Sequence, residues 1–328
     1  MQPWTDSLRF VSDLVLLPWA DHATALGDAT RGLNVVVFDK DDPAPSQEML
    51  DQVVFYVAPY EGGRRCLALI PLMPRVQIVQ SLWAGVDGVW PFIRDDESFP
   101  LTLCNAAGVH DASTAELAVA LTLARLRELD VFARVASEGA WLHETTGALA
   151  DRTVLILGYG NIGRATEQRL AGFEVEIIRV AQTARVDEQG RVIHAQSELA
   201  DLIPQADVVI VTMPQTADTT GLIDADFLAR MKDGSLLVNV ARGVIVVTDD
   251  LLAELRTGRI SAALDVTDPE PLPPGHPLWT APGVLISPHV GGSTTAFLPR
   301  AQRLVTDQLR RWKAGEPLAN VIARPVGL

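Results

Sequence analysis

The chain has 328 residues, of which 48% are hydrophobic and 21% charged, with a formal net charge of −14. That length suits about two domains, and the mix is that of a globular protein with ample material for a core. So acidic a surface repels nucleic acid and anionic membrane, which excludes both as expected partners and obliges any small anionic substrate to find a local basic group.

The N-terminal residues Met1–Asp6 carry no basic region followed by an apolar run, and no apolar stretch reaches the roughly 18 residues of a membrane span. A cytoplasmic protein is expected. Cys66 and Cys104 each lie in an apolar stretch and read as buried free thiols, with no CxxC or Cys/His cluster to hold a metal.

Short Val/Ile/Leu runs then alternate with helical patterns. Runs that are apolar throughout suit parallel strands covered on both faces. The first such strands are expected at Asp13–Leu17, Leu33–Phe38, Val53–Val57 and Val76–Gln80, with helices at Ala20–Leu26 and Ser46–Asp51. A long helix should follow through Ala115–Arg127, capped by Ser113 with Glu116 three residues on, as in a capping box. Its residues are apolar on most faces, so it should be deeply packed. A second alternating set has strands at Thr153–Leu157, Val175–Ile178, Val208–Thr212, Ser235–Val240, Ala262–Val266 and Val284–Ser287. The segment Pro269–Pro282 holds six prolines and must be a loop. A last helix is expected from Ser293 to Lys313, with Ser293 or Thr294 as its cap. The fold class is therefore α/β, two Rossmann-like doubly wound parallel-sheet domains.

Gly158-Tyr159-Gly160-Asn161-Ile162-Gly163 is a GxGxxG, a weak signal alone but here entered from an apolar strand and left by a helix. Gly158 permits a tight turn, Gly160 lets backbone approach a pyrophosphate, and Gly163 lets helix and strand pack closely. The free N–H groups and the positive helix end then face phosphates. A dinucleotide cofactor is the expectation; an ordinary glycine-rich turn is the bland alternative. The following strand should end in an acid for the adenosine ribose. Ala181 holds that position, 18 residues after Gly163. Without the carboxylate a 2′-phosphate meets no repulsion, and Arg179, Arg185 and Thr183 could receive it, so NADP is favoured over NAD. The alternative is that both arginines are simply solvated.

Three later segments each put a polar or charged residue just past an apolar strand: Val238-Asn239-Val240-Ala241-Arg242-Gly243, then Ala263-Leu264-Asp265-Val266 running on to Glu270-Pro271-Leu272, and Ser287-Pro288-His289-Val290-Gly291-Gly292. In an open α/β sheet such ends share one crevice, where ligands bind. With these motifs in order behind the glycine loop, the chain resembles the D-isomer-specific 2-hydroxyacid dehydrogenases from about Val11 to Pro317. The resemblance implies an enzyme that interconverts a small 2-oxo acid, of glyoxylate or hydroxypyruvate type, and the D-2-hydroxy acid. It implies His289 as general acid in reduction, Glu270 as the carboxylate that orients the imidazole, and Arg242 as the grip on the substrate carboxylate. A histidine titrating near ~6.5, a neighbouring carboxylate that keeps it protonated and an arginine fork suit those roles on chemical grounds too.

The same resemblance makes Leu82-Trp83-Ala84-Gly85-Val86-Asp87 a substrate turn, in which the N–H groups of Ala84 and Gly85 bind the carboxylate from the side opposite Arg242. Trp83 either narrows the pocket or is a rim aromatic. Met213-Pro214-Gln215-Thr216 and Thr219 match the loop under the adenosine and phosphates. Thr114, Tyr159, Asn161, Ile162, Val240, Ala241 and Gly292 are implied around the cofactor, with Asp265 at its nicotinamide end. Trp141 lies in the segment used for dimer contact, so a homodimer is implied. Residues 1–103, completed by 293–328, would form the substrate domain, and 104–292 the dinucleotide-binding domain. Ala181 departs from the pattern, as does Val247, where an Asp is frequent; Asp249 and Asp250 follow, and the change bears on a helix start. Two alternatives stay open: a cofactor-sensing corepressor on the same fold, which could retain the same three residues, and a phosphite- or formate-type dehydrogenase. The N-terminal extension expected of formate enzymes is missing, and the end at Leu328 leaves no room for the regulatory domain of many phosphoglycerate dehydrogenases.

Overall fold

The computed structural model describes residues 13–93 and 101–322. Met1–Asp6 and the start of the resemblance at Val11 lie outside the described residues. The chain divides into two compact units, Met1–Val109 with Thr295–Leu328, and His110–Thr294.

The first unit holds a five-stranded sheet in the order β2-β1-β3-β4-β5, all parallel: β1 (Leu14–Leu17), β2 (Asn34–Val37), β3 (Val53–Ala58), β4 (Ile78–Ser81) and β5 (Thr102–Cys104). All of β1, β3 and β4 is buried, so both faces are covered; β1 and β3 read apolar without alternation, and β4 ends on the buried polar residues Gln80 and Ser81. Three short helices connect them: α1 (His22–Ala25), α2 (Gln47–Leu50) and α3 (Gly63–Leu67). Ser46 caps α2 through the amide of Met49 at 3.3 Å. The strand β5, three residues long, carries too little pattern to be expected from sequence, yet it keeps residue 104 in the first sheet.

The second unit opens with α4 (Asp111–Leu126) and α5 (Leu129–Ser137). The helix α4 starts at Asp111 with His110 at the cap position, so Ser113 is not the cap that its sequence context suggested. Ser113 sits inside the first turn, and its hydroxyl meets that of Thr294 at 2.9 Å, while Glu116 reaches Arg169 at 3.2 Å. Tertiary partners have taken both capping-box residues. Then come β6 (Thr153–Leu157), α6 (Asn161–Leu170), β7 (Glu176–Ala181), β8 (Arg185–Val186), β9 (Val192–Ala195), α7 (Leu199–Leu202), β10 (Val208–Val211), α8 (Ala225–Arg230), β11 (Leu236–Asn239), α9 (Thr248–Arg256), β12 (Ser261–Leu264) and β13 (Val284–Ile286). The sheet order is β13-β12-β11-β10-β6-β7-β9-β8, parallel except where β8 turns back on β9. The winding reverses between β6 and β10. Outside their carboxyl ends lies the crevice where open α/β sheets bind ligands. As expected, the proline-rich stretch is a loop, broken only by one short 3-10 turn at Pro277–Thr280.

The chain then returns to the first unit as α10 (Phe297–Ala314). Neither Ser293 nor Thr294 caps it; Ala296 holds that position with no side-chain bond, and Thr294 is paired with Ser113. On α10, Ala301, Val305 and Leu309 are fully buried with Val15, Leu17, Phe55 and Val57. Gln308, also fully buried, donates to Gln80 Oε1 at 2.8 Å and to the Ala319 carbonyl at 2.9 Å. No helix among the described residues is long and apolar enough to cross a membrane.

Candidate active site

The strand β6 delivers the glycine loop. Gly158 has φ +107°, and a Cβ there would lie 2.4 Å from the Met213 nitrogen. A Cβ on Gly163 would lie 2.6 Å from the Gly158 carbonyl oxygen, so the helix approaches the strand as closely as backbone allows. A Cβ on Gly160 would meet nothing within 4 Å. The backbone there lies open, at the start of a ten-residue helix whose first N–H groups, those of Asn161 and Ile162, have no intrahelical acceptor. These features fit a pyrophosphate. Tyr159 does not join them. Its side chain is 1% exposed in the core, its N–H donates to the Val180 carbonyl at 2.8 Å, and its carbonyl accepts from Arg185 at 3.2 Å.

The strand β7 ends on Ala181, and Gln182, Thr183, Ala184 and Arg185 follow, all exposed. Arg179 is not the open charge that its spacing suggested. It holds Glu167 of α6 at 2.5 and 2.9 Å, and Glu167 also accepts from the Tyr159 hydroxyl. Burial pushes the Glu167 carboxyl up, but Arg179, Tyr159 and Arg191 outweigh it and hold it below its ordinary range. Beside this edge, Gln182, Gln196, Leu199, Asp218, Leu222 and Phe227 line part of a cavity of about 480 Å³. Spacing alone pointed to none of these six residues. Thr219 shapes the loop after β10: its hydroxyl donates to the Pro214 carbonyl at 2.8 Å and accepts from the Thr216 amide at 2.8 Å.

The three expected chemical residues come from three strand ends of the second unit. Past β13, His289 Nδ1 meets Glu270 Oε1 at 2.6 Å. Glu270 stands in the proline loop, with its side chain 41% exposed against 46% for His289. The hydrogen bond from Glu270 raises the imidazole above its ordinary value; burial and Arg242 oppose it, and the charges of Glu270 and Asp265 add to it. Burial pushes Glu270 up, but the bond and charge of His289, with the Thr267 amide and Arg242, bring it below its usual range. Arg242 therefore bears electrostatically on both partners. Its turn begins at Asn239, the last residue of β11, and is followed by Gly243, where a Cβ would lie 2.0 Å from the Thr267 carbonyl oxygen. Only glycine lets the arginine turn lie against the strand end that leads to Glu270. Val240 and Ala241 are nearly buried beside it. Thr114 of α4 is 6% exposed and lies next to Gly291, whose built Cβ would be 3.5 Å from its hydroxyl.

In the first unit, the Trp83-Ala84-Gly85 turn follows β4. Asn105 donates to the Ala84 carbonyl at 2.7 Å, and the Trp83 ring lies 5.8 Å from that of Tyr60.

Residues 119–291 match the family model described as D-isomer specific 2-hydroxyacid dehydrogenase, NAD binding domain. The chain belongs to the D-isomer specific 2-hydroxyacid dehydrogenase family. It is 36% identical to the human glyoxylate reductase/hydroxypyruvate reductase, covering 86% of this chain and 88% of that one. It is 30% identical to the glyoxylate reductase of Aeropyrum pernix over 92% and 93% of the two chains. Among solved structures, the D-isomer specific 2-hydroxyacid dehydrogenase of Xanthobacter autotrophicus in complex with NADPH and MES aligns with TM-score 0.77 and 28% identity, over 95% of this chain and 98% of that one. The NADPH-dependent glyoxylate/hydroxypyruvate reductase of Sinorhizobium meliloti, in complex with NADP and sulfate, aligns with TM-score 0.78 and 26% identity, over 94% and 96%. This family member is accordingly an NAD(P)-dependent 2-hydroxyacid dehydrogenase.

Proposed function

We propose that the enzyme reduces a small 2-oxo acid of the glyoxylate or hydroxypyruvate type to the D-2-hydroxy acid, with NADPH favoured over NADH. The observation that carries this reading is the 2.6 Å pair between His289 Nδ1 and Glu270 Oε1. With Nδ1 held by a carboxylate, Nε2 is the nitrogen that gives its proton to the substrate carbonyl oxygen. Glu270 fixes the ring and favours the imidazolium. Arg242 offers a planar fork to the substrate carboxylate. When bound, the nicotinamide supplies the hydride. Asn161 and Ile162 would offer their free N–H groups and the helix dipole to the pyrophosphate, with Gly158 making the tight turn and Gly160 leaving room for the approach, while Met213, Pro214 and Thr219 belong to the loop after β10. Thr114, Val240, Ala241 and Gly292 complete the cofactor's surroundings.

The preference for NADPH is supported by Ala181 at the end of β7 and by Arg185 and Thr183 standing exposed beyond it. Arg179, committed to Glu167, is left out of that reading. We read the first unit as the substrate domain and the second as the dinucleotide-binding domain. A homodimer is proposed through α5, which buries none of its residues, and through Trp141, 93% exposed. The two buried free cysteines support a reducing compartment, the cytoplasm.

The test is the fall in nicotinamide absorbance with NADPH or NADH across a panel of 2-oxo acids. Turnover of glyoxylate or hydroxypyruvate, faster with NADPH, is expected. Tight cofactor binding without turnover of any acid would turn the reading toward a cofactor sensor.

A further inference from the structure

Asp265 stands just past the end of β12 and is 2% exposed. A carboxylate so deeply buried needs donors for its lone pairs. It has three. The Ser287 hydroxyl reaches Oδ1 at 2.6 Å, the Val290 amide reaches the same oxygen at 2.9 Å, and the Gly291 amide reaches Oδ2 at 2.9 Å. The carbonyl of Asp265 also accepts from the His289 amide at 2.7 Å. All four donors belong to one stretch of five residues, and His289 is at its centre.

That centre has φ +53°, in the left-handed region. The region suits glycine and is uncommon for a residue with a Cβ; it persists where the surroundings over-determine it. Two residues on, a Cβ at Gly291 would lie 3.0 Å from Asp265 Oδ2, so the carboxylate is pressed against the turn from below. The neighbouring strand end repeats the arrangement. Asn239, fully buried, accepts from the Ala241 amide at 3.0 Å and donates to the Arg242 carbonyl at 2.9 Å. Its own carbonyl accepts from the Asp265 amide at 2.9 Å, which joins the two strand ends.

We propose that Asp265 and Ser287 are positioning residues, which lock the Ser287–Gly291 turn so that His289 keeps its left-handed backbone and faces Glu270. The inference rests on His289 being the proton donor. Ser287→Ala removes one of the three donors to the carboxylate. Asp265→Asn keeps the shape and sets an amide NH₂ against N–H donors.

The experiment uses the full chain and two readouts. One is steady-state reduction together with NADPH affinity. The other is the titration of the His289 ring by NMR without cofactor, assigned among the six histidines with His289→Ala. Ser287→Ala should lower kcat about tenfold with the NADPH Kd within about twofold, and Asp265→Asn should lower kcat about 10–100-fold. In Ser287→Ala, which leaves every charge in place, the ring should titrate at lower pH because the turn no longer holds it on Glu270; in Asp265→Asn the lost charge, which itself raises the imidazole, lowers it as well. Ser287→Thr, which restores a hydroxyl, should recover both readouts. Unchanged kcat and titration would overturn the proposal. So would an NADPH Kd weakened in Ser287→Ala as much as kcat, which would tie the turn to the cofactor and not to the imidazole. Should Asp265→Asn not fold, Ser287→Ala decides alone. If His289→Ala keeps its turnover, the acid role falls, while the titration still tests the turn.

Discussion

At the carboxyl ends of β11 to β13, the turns are held by side chains that solvent barely touches; at the ends of β7 to β9, the polar residues stand in the open. Asn239 and Asp265 are 0% and 2% exposed and bond almost wholly to backbone amides and carbonyls. At the other end, Thr183, Ala184 and Arg185 are exposed. The difference separates two demands. On the proposed reading, proton delivery needs one geometry, and buried hydrogen bonds would supply it at a high cost to substitution. On the same proposed reading, discrimination between two cofactors would rest on exposed charge, which can change without disturbing a core.

Substitutions at the two ends should therefore behave differently. The largest effect is expected from His289→Ala, a fall in kcat of about 10²–10⁴ with folding intact, measured by steady-state reduction. Near-normal turnover would remove the imidazole from the chemistry and the comparison with it. A smaller effect, on pH dependence, is expected from Glu270→Gln. Reduction needs the imidazolium, so the rate falls as pH rises through the imidazole's raised value, and that rise comes first from the Glu270 hydrogen bond. Losing the carboxylate should move the alkaline limb of the kcat profile to lower pH; an unmoved limb would mean that the 2.6 Å contact has no bearing on the proton. The smallest effect is expected from Ala181→Asp, at the exposed end. The new carboxylate should cut the NADPH-to-NADH preference about tenfold by meeting a 2′-phosphate with like charge, leaving kcat with NADH nearly unchanged. If the ratio stays put, the adenosine end does not read that position.

The same division explains what could be read from residues alone. Strands such as Thr-Val-Leu-Ile-Leu in β6 announce themselves, because a doubly covered strand must be apolar throughout. The hairpin of β8 and β9 does not, since Val186 and Val192 are exposed and its neighbours are charged. Ser113 and Thr294 both looked like helix caps, a local role; each is occupied by the other, from 181 residues away. The motifs pointed to Glu270 and His289, which the structure pairs at 2.6 Å, and to Arg242, whose charge bears on both. Arg179 misled, because spacing tells which residue follows a strand and says nothing of a partner on another helix. Asn239 and Ser287 left no signal beyond a polar residue at a strand end. Their roles exist only once the turns have folded over them.

The first sheet is not finished by its own stretch of chain. Val15, Leu17, Phe55 and Val57 are covered in part by Ala301, Val305 and Leu309, and the buried Gln80 is completed by Gln308. On the ribosome those apolar strands emerge early and wait while all of His110–Thr294 is translated. The order of birth and the order of completion are thus opposed: the contiguous unit can close first, and the unit that begins the chain closes last. A nascent polypeptide of this kind offers a long interval in which chaperones can hold its leading strands.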